Sequence, residues 1–172
     1  VGRVGLSICY DLRFPELYRS MGPVDLLVVP AAFTHTTGQA HWELLLRARA
    51  VENLCYVLAS AQGGTHPSGR RTWGDSMVVD PWGAVLERLA QGPGVVTAEI
   101  DPARIAELRA ELASDAGPVA SGEAPIALEG QHASALHSDA GAAPARDFEA
   151  SRPPLAQHSG RRIHVEFDGQ DY

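Results

Sequence analysis

Lysine is absent from the 172 residues, so all 14 basic side chains are arginines. Any reaction that needs a lysine ammonium must therefore draw it from outside this sequence. Cysteine is almost as scarce, with Cys9 and Cys55 alone, both beside apolar residues. Two cysteines make no disulfide framework, although one bridge between them stays open, and the setting expected is reducing and cytosolic (cytoplasmic). No apolar stretch approaches the run of about 18 residues that spans a membrane, so no membrane partner is expected. Acid outweighs base, 21 residues to 14, for a net charge of -7. That balance argues against a general nucleic-acid partner, which needs clustered cations on phosphate. It leaves room for a small anionic substrate held by one or two arginines. The chain begins at Val1, just ahead of a strand and with no visible signal sequence, and is expected to be part of a longer protein.

What is present is a globular composition, 45% hydrophobic and 20% charged, in a chain long enough for one sizeable core. Its first two thirds alternate between strand and helix signals. Residues 4–8 and 24–30 ("VDLLVVP") are apolar runs of strand length, the second with the continuous pattern of a strand buried on both faces. A loop "AAFTHTTGQA" leads to a helix over 39–54, where Trp42, Leu45, Leu46, Arg49 and Asn53 recur near helical spacing. "CYVLASAQ" reads as another buried strand. A polar loop follows, then "TWGDSMVVD" and "AVLERL" as two strands joined by an Asp80-Pro81-Trp82-Gly83 turn, with "GVVTAEI" as a third strand of that group. Asp101-Pro102 opens a helix to about Leu112, with Asp as N-cap and Pro in the first turn. Strands interleaved with helices, then a meander, predict an α/β layered fold. Residues 114–172 turn rich in Ala, Gly, Ser and Pro and are expected to be a mostly disordered tail. Within them, "RIHVEF" alternates like a strand.

The segment "LSICYDLRFPE" concentrates the chemistry. An apolar strand ends at Cys9, and Pro15 with Glu16 marks a helix start, a place for proline and for a carboxylate on the helix dipole. Cys9 thus stands at a strand-to-helix turn, where a nucleophile is held rigidly and still meets substrate; the plain alternative is a small buried residue ending a strand. Cys55, with no polar company, is expected to be core. Asp11 and Arg13 flank Cys9 and are expected to pair with each other, with substrate orientation as the alternative. Glu43, Arg47 and Arg49 on the long helix are expected to form a structural charge network, Glu43 and Arg47 having the favourable four-residue spacing. Phe33 and Thr34 follow a strand end on the same side as Cys9 and are candidates for a substrate pocket. His35, His41 and His66 match no zinc spacing, so no metal is expected. Arg70 and Arg71 are expected to be solvated, and Trp73, Met77 and Trp82 to pack.

"GLSICYDLRFPELYR", "PAAFTHTTGQAHWELLLRARAVENLCYVLASAQGG" and "GDSMVVDPWGAVLE" resemble the nitrilase (carbon–nitrogen hydrolase) superfamily, nearest its branch of deaminated-glutathione amidases and omega-amidases. The likeness covers residues 1–113, read as the C-terminal half of the domain. It implies a four-layer α-β-β-α sandwich paired into homodimers through its helices, no cofactor, and hydrolysis of a small linear amide bearing a carboxylate. It implies Cys9 as the nucleophile that forms a thioester, and the Tyr10 backbone N–H as an oxyanion donor. It also places Glu43 of "HWE" beside the pocket. The family's general-base glutamate and oxyanion lysine would lie upstream of Val1, so these residues alone are expected to be inactive. The alternative is a truncated half-domain that only folds with a partner or dimerises. A further departure follows Leu112, where relatives continue with a basic, aromatic-ended segment and this chain has "ASDAGPVASG".

Overall fold

Apolar runs of strand length, each bounded by turn residues, assemble into a mixed sheet in a computed structural model that describes residues 2–115 and the backbone of 161–167. β1 (Val4–Leu6) leads through a short 3-10 helix (Cys9–Arg13, the cysteine turn) and α1 (Pro15–Ser20) to β2 (Leu26–Ala31). α2 (His35–Asn53) then crosses to β3 (Tyr56–Ala61). β1, β2 and β3 are parallel neighbours, Leu27 standing opposite both Gly5 and Val57. Two crossovers of one hand, stepping the same way along a sheet, place both helices on one face. β4 (Gly63–Thr65) and β5 (Arg71–Trp73) form a small hairpin, and β6 (Ser76–Val79) and β7 (Val85–Leu89) complete the sheet in the order β1-β2-β3-β6-β7, both antiparallel.

Strand alternation explains why the sheet is covered twice. Leu27, Val29, Val57, Ala59, Met77 and Val79 face the helices and pack with Tyr18, Trp42, Leu46 and Ala50. Leu26, Tyr56, Leu58 and Val78 face the other way, onto Val96 and Ile100 of β8 (Gly94–Ile100) and Ile105 of α3 (Pro102–Asp115). β8 is therefore not a third strand of the meander. It pairs antiparallel along its whole length with β9 (Arg161–Phe167) in a separate two-stranded sheet. β9 lies inside the stretch expected to be irregular, and its period-two pattern was the signal for it. The rest of the predicted tail, 116–160 and 168–172, lies outside the described residues. The layered α/β architecture is as expected, and the Asp101 N-cap is present, its Oδ1 accepting from Ala103 N–H at 2.9 Å.

Three boundaries differ from the sequence reading, each for a local reason. The strand expected over 72–80 breaks at Gly74 and Asp75, both with positive φ (78° and 67°), so its ends serve different sheets. The polar loop before it holds the β4–β5 hairpin. α2 begins at His35, four residues early, with Thr34 at the N-cap position, where its backbone C=O accepts from Gly38 N–H at 2.7 Å and its side chain makes no cap hydrogen bond. β-Branched threonines and a glycine hide that first turn from propensity. Gly38 is there for space: a Cβ on it would stand 2.3 Å from the Cβ of Trp73. On helix propensity alone Gly38→Ala would gain about 1 kcal/mol. Overpacking against Trp73 reverses the sign, and a net loss of about 1–3 kcal/mol is expected in urea unfolding.

Candidate active site

Ligand crevices of parallel sheets lie at the C-terminal strand ends. Here the cysteine turn follows β1, and Phe33 and Thr34 follow β2, at that end. Ser7 is tied to β2, its N–H donating to Val28 C=O at 3.1 Å, and Cys9 opens the turn with φ of 48°. That left-handed backbone costs a residue with a Cβ about 1–2 kcal/mol, and such strain gathers where a side chain must be aimed. Asp11 accepts from Ile8 N–H at 2.9 Å and caps the turn from below. Tyr10 lies in the turn's first residues, where helical N–H groups lack an intrahelical partner. Its ring is exposed and meets Phe14 edge-on at 5.6 Å.

Asp11 and Arg13 do not pair with each other, a correction to the sequence reading. Asp11 is taken by the backbone, whereas Arg13 points toward α2. Arg13 bonds His41 Nδ1 at 3.3 Å, and its guanidinium carbon lies 5.6 Å from the Tyr10 ring centre and 5.2 Å from that of Phe33. Phe33 is buried and its ring leans on Trp42 of α2, with the Arg13 guanidinium of the cysteine turn beside it. Thr34 is exposed and bridges Thr72 of the hairpin. Phe33 and the Cys9 turn are thus linked through Arg13, a contact that no sequence spacing announces. The three histidines go separate ways: His35 to Arg71 at 3.0 Å, His41 to Arg13, and His66 to Thr72 at 2.7 Å. Among the described residues no three potential ligands gather for a metal.

The charge network on α2 is present and divides in two. Arg49 is buried, its side chain 5% exposed, and donates from Nε (3.1 Å) and Nη2 (2.9 Å) to the single Leu12 C=O, with Nη1 on Glu52 at 2.7 Å. It also lies over the Tyr18 ring at 5.3 Å. Tyr18 OH in turn shares a buried 2.8 Å hydrogen bond with Ser7 Oγ. Glu43 belongs to the other half. Its carboxylate accepts from Arg88 of β7 and from Arg47, 3.4 Å away, so two arginines engage it. Arg88 also reaches Asp75 at 3.0 Å.

One guanidinium therefore serves two carboxyls with opposite results. The hydrogen bond from Arg88 holds Glu43 below its ordinary value, whereas burial pushes Asp75 above its own. A lowered carboxyl stabilises the fold above the ordinary range and loses that as pH falls through its folded value. A raised one stabilises at low pH and loses that as pH rises through its folded value. In urea unfolding across the carboxylate range, the wild-type advantage over Glu43→Gln is expected to grow with rising pH. It stays below about 1 kcal/mol because the pair is exposed. The advantage over Asp75→Asn is expected to shrink over the same range.

The two cysteines part company as the sequence suggested. Cys55 is fully buried, and desolvation pushes its thiol up to about 12, whereas Cys9 is part-exposed. Reactivity follows thiolate and access. Iodoacetamide at pH 8 is expected to label Cys9 in the folded chain and spare Cys55 until denaturant is added, as peptide mass mapping would read out.

Among known proteins, residues 1–110 match the family described as Carbon-nitrogen hydrolase. A deaminated glutathione amidase of Synechocystis sp. (strain PCC 6803 / GT-S) is 53% identical over 115 residues, 66% of this chain and 42% of that protein. The crystal structure of the C. elegans NitFhit protein aligns with a TM-score of 0.59 and 50% identity, over 67% of this chain and 29% of that one. A Saccharomyces cerevisiae structure, described as a member of branch 10 of the nitrilase superfamily, aligns with a TM-score of 0.58 and 36% identity over 69% and 43%. The chain thus spans less than half the length of the curated relative it matches. No described helix is long and apolar enough to cross a membrane. With the match running from the first strand through the cysteine turn to the last described helix, the chain belongs to the carbon-nitrogen hydrolase family.

Proposed function

We propose that Cys9 is the nucleophile of an amidase that cleaves a small linear amide bearing a carboxylate. One observation carries the reading: Cys9 alone of the two thiols is reachable, and it sits in left-handed backbone at a strand-to-helix turn. A strained turn of that kind is how nucleophile elbows aim a side chain out of a sheet. The relatives named amidases support the amide as the bond attacked. Cys9 Sγ, as thiolate, adds to the amide carbon, and the Tyr10 N–H in the turn receives the developing oxyanion. The tetrahedral adduct collapses with loss of the amine or ammonia, which carries away the proton first taken from the thiol. Water then cleaves the thioester, releasing a carboxylic acid and restoring the thiol.

Phe33 and Thr34 are proposed as the substrate-facing wall, supported by their place at the end of β2 and by the contact of Arg13 with Phe33. Glu43 stands two residues beyond His41 on the same helix, and its carboxylate would have to leave Arg88 and Arg47 to meet a substrate. The base for the thiol and the lysine that shares the oxyanion are proposed to come from residues outside these 172. Removal of one oxyanion donor costs about a hundred- to a thousand-fold, and loss of the base adds to that. This chain alone is therefore expected to show no turnover. Homodimer pairing through the helices is part of the same proposal. Leu44 and Val51 of α2 and Trp82 of the adjoining turn are exposed and would be covered by it.

The test uses the protein purified from its native source, with intact mass measured first. For a species well above 18.3 kDa, hydrolysis of deaminated glutathione is expected, and Cys9→Ala should lower kcat by at least about a thousand-fold. A Cys9→Ala variant that retains wild-type hydrolysis contradicts the reading. A native species of 18.3 kDa without hydrolysis would favour the second reading, an inactive half-domain that serves folding or dimerisation. The missing lysine is what favours that reading.

A further inference from the structure

We infer that Arg49 and Tyr18 are positioning residues for Cys9, a role that rests on reading Cys9 as the nucleophile. Neither touches the thiol by any contact described above. Together they hold the turn that carries it from both ends. Ser7, two residues before Cys9, is bound through its hydroxyl to Tyr18 OH at 2.8 Å. Leu12, three residues after, is bound through its carbonyl to Arg49 at 2.9 and 3.1 Å. The guanidinium and the phenol ring lie against each other at 5.3 Å, so the two anchors form one unit.

Stability alone is a poor reason for this arrangement. A buried cation is costly to desolvate, and a well-packed apolar side chain of similar volume usually serves a fold as well or better. Arg49 has one acidic partner, Glu52, yet aims two of its donor nitrogens at one neutral carbonyl near the end of the cysteine turn. Carbonyls at a helix end lack intrahelical partners. A planar fork on such a carbonyl restrains both its position and its direction, which a lysine ammonium cannot do. The residue that needs restraint is Cys9, whose φ of 48° would relax to a negative value if either end of the turn were free. Relaxation swings Sγ, and a misplacement of about 1 Å can cost on the order of a hundredfold in rate.

The experiment uses the full-length protein and three variants. Arg49→Lys keeps the charge and loses the fork. Tyr18→Phe keeps the ring and loses the bond to Ser7. Cys9→Ala reports on the nucleophile. Rates are normalised to the Cys9 thiol titrated in the folded protein, so misfolded chains drop out. The expected result is a kcat per thiol lower by about 10- to 100-fold in Arg49→Lys and about 3- to 10-fold in Tyr18→Phe, with KM within about threefold of wild type. A role in folding only would reduce the titrated thiol and leave kcat per thiol unchanged, and that result overturns the inference. If Arg49→Lys yields no folded protein, Tyr18→Phe decides by the same criterion. An inactive Cys9→Ala beside a fully active Arg49→Lys and Tyr18→Phe overturns the positioning role alone. An active Cys9→Ala overturns the nucleophile reading and the positioning role with it.

Discussion

The two hydrogen bonds from Arg49 to the Leu12 carbonyl join the long helix to the turn that begins at Cys9. Much else is arranged so that they can exist. Arg49 must be on the buried face of α2, the helix that packs on β3, β5 and β6. It must also be neutralised, and Glu52 one turn further along does that while keeping its own carboxylate partly in water. Tyr18 fills the space under the guanidinium and delivers its hydroxyl to Ser7. No buried side-chain nitrogen or oxygen among the described residues is left without a partner, so the polar insertion into this core is fully satisfied. A half-satisfied one would cost more than an apolar core.

The sheet supplies the platform. Three parallel strands put the ends of β1 and β2 at the same edge of the layer, and the proposed site inherits that edge without further design. Because alternate residues of β2 and β3 point to opposite faces, one face can carry the helices that brace the cysteine turn. The other packs on β8 and α3. Among the described residues no strand pairs with the outer edge of β1, and Leu6 on it and Ile8 just beyond it are more than half exposed. An apolar strand at a sheet edge is a surface that pairs readily with another chain or segment.

Charge is used differently on the two halves of α2. Near the cysteine turn it is buried and geometric. Toward β7 it is a half-exposed relay in which Arg88 links Glu43 to Asp75. Asp75 occupies the break between β5 and β6, where its carbonyl also accepts from the Trp42 indole at 2.8 Å. The break that ends one strand thus also fixes the aromatic side chain on which Phe33 leans.

How much of this was legible in the chain can be argued residue by residue. The strand expected over 24–30 and found at Leu26–Ala31, the Asp80–Gly83 turn and the Asp101 cap are local, so hydrophobic period and turn chemistry were enough to find them. The strand-to-helix placement of Cys9 was legible too, because a strand end and a Pro-Glu helix start bracket it within a few residues. The start of α2 was hidden, since "THTTG" has poor helix propensity and its Gly38 packs against Trp73, a residue far along the chain. The pairing of β8 with β9 was equally hidden, because the partners lie more than sixty residues apart and register is not a local property. The amino-acid sequence by itself determined most of the elements and the family, and it placed Cys9 at a strand-to-helix turn. Only the tertiary structure decided that Asp11 serves the backbone while Arg13 crosses to Phe33 and His41, that Glu43 is spent on β7, and that Arg49 and Tyr18 clasp the cysteine turn. Those are contacts between distant segments, and packing free energy, not spacing along the chain, selects them.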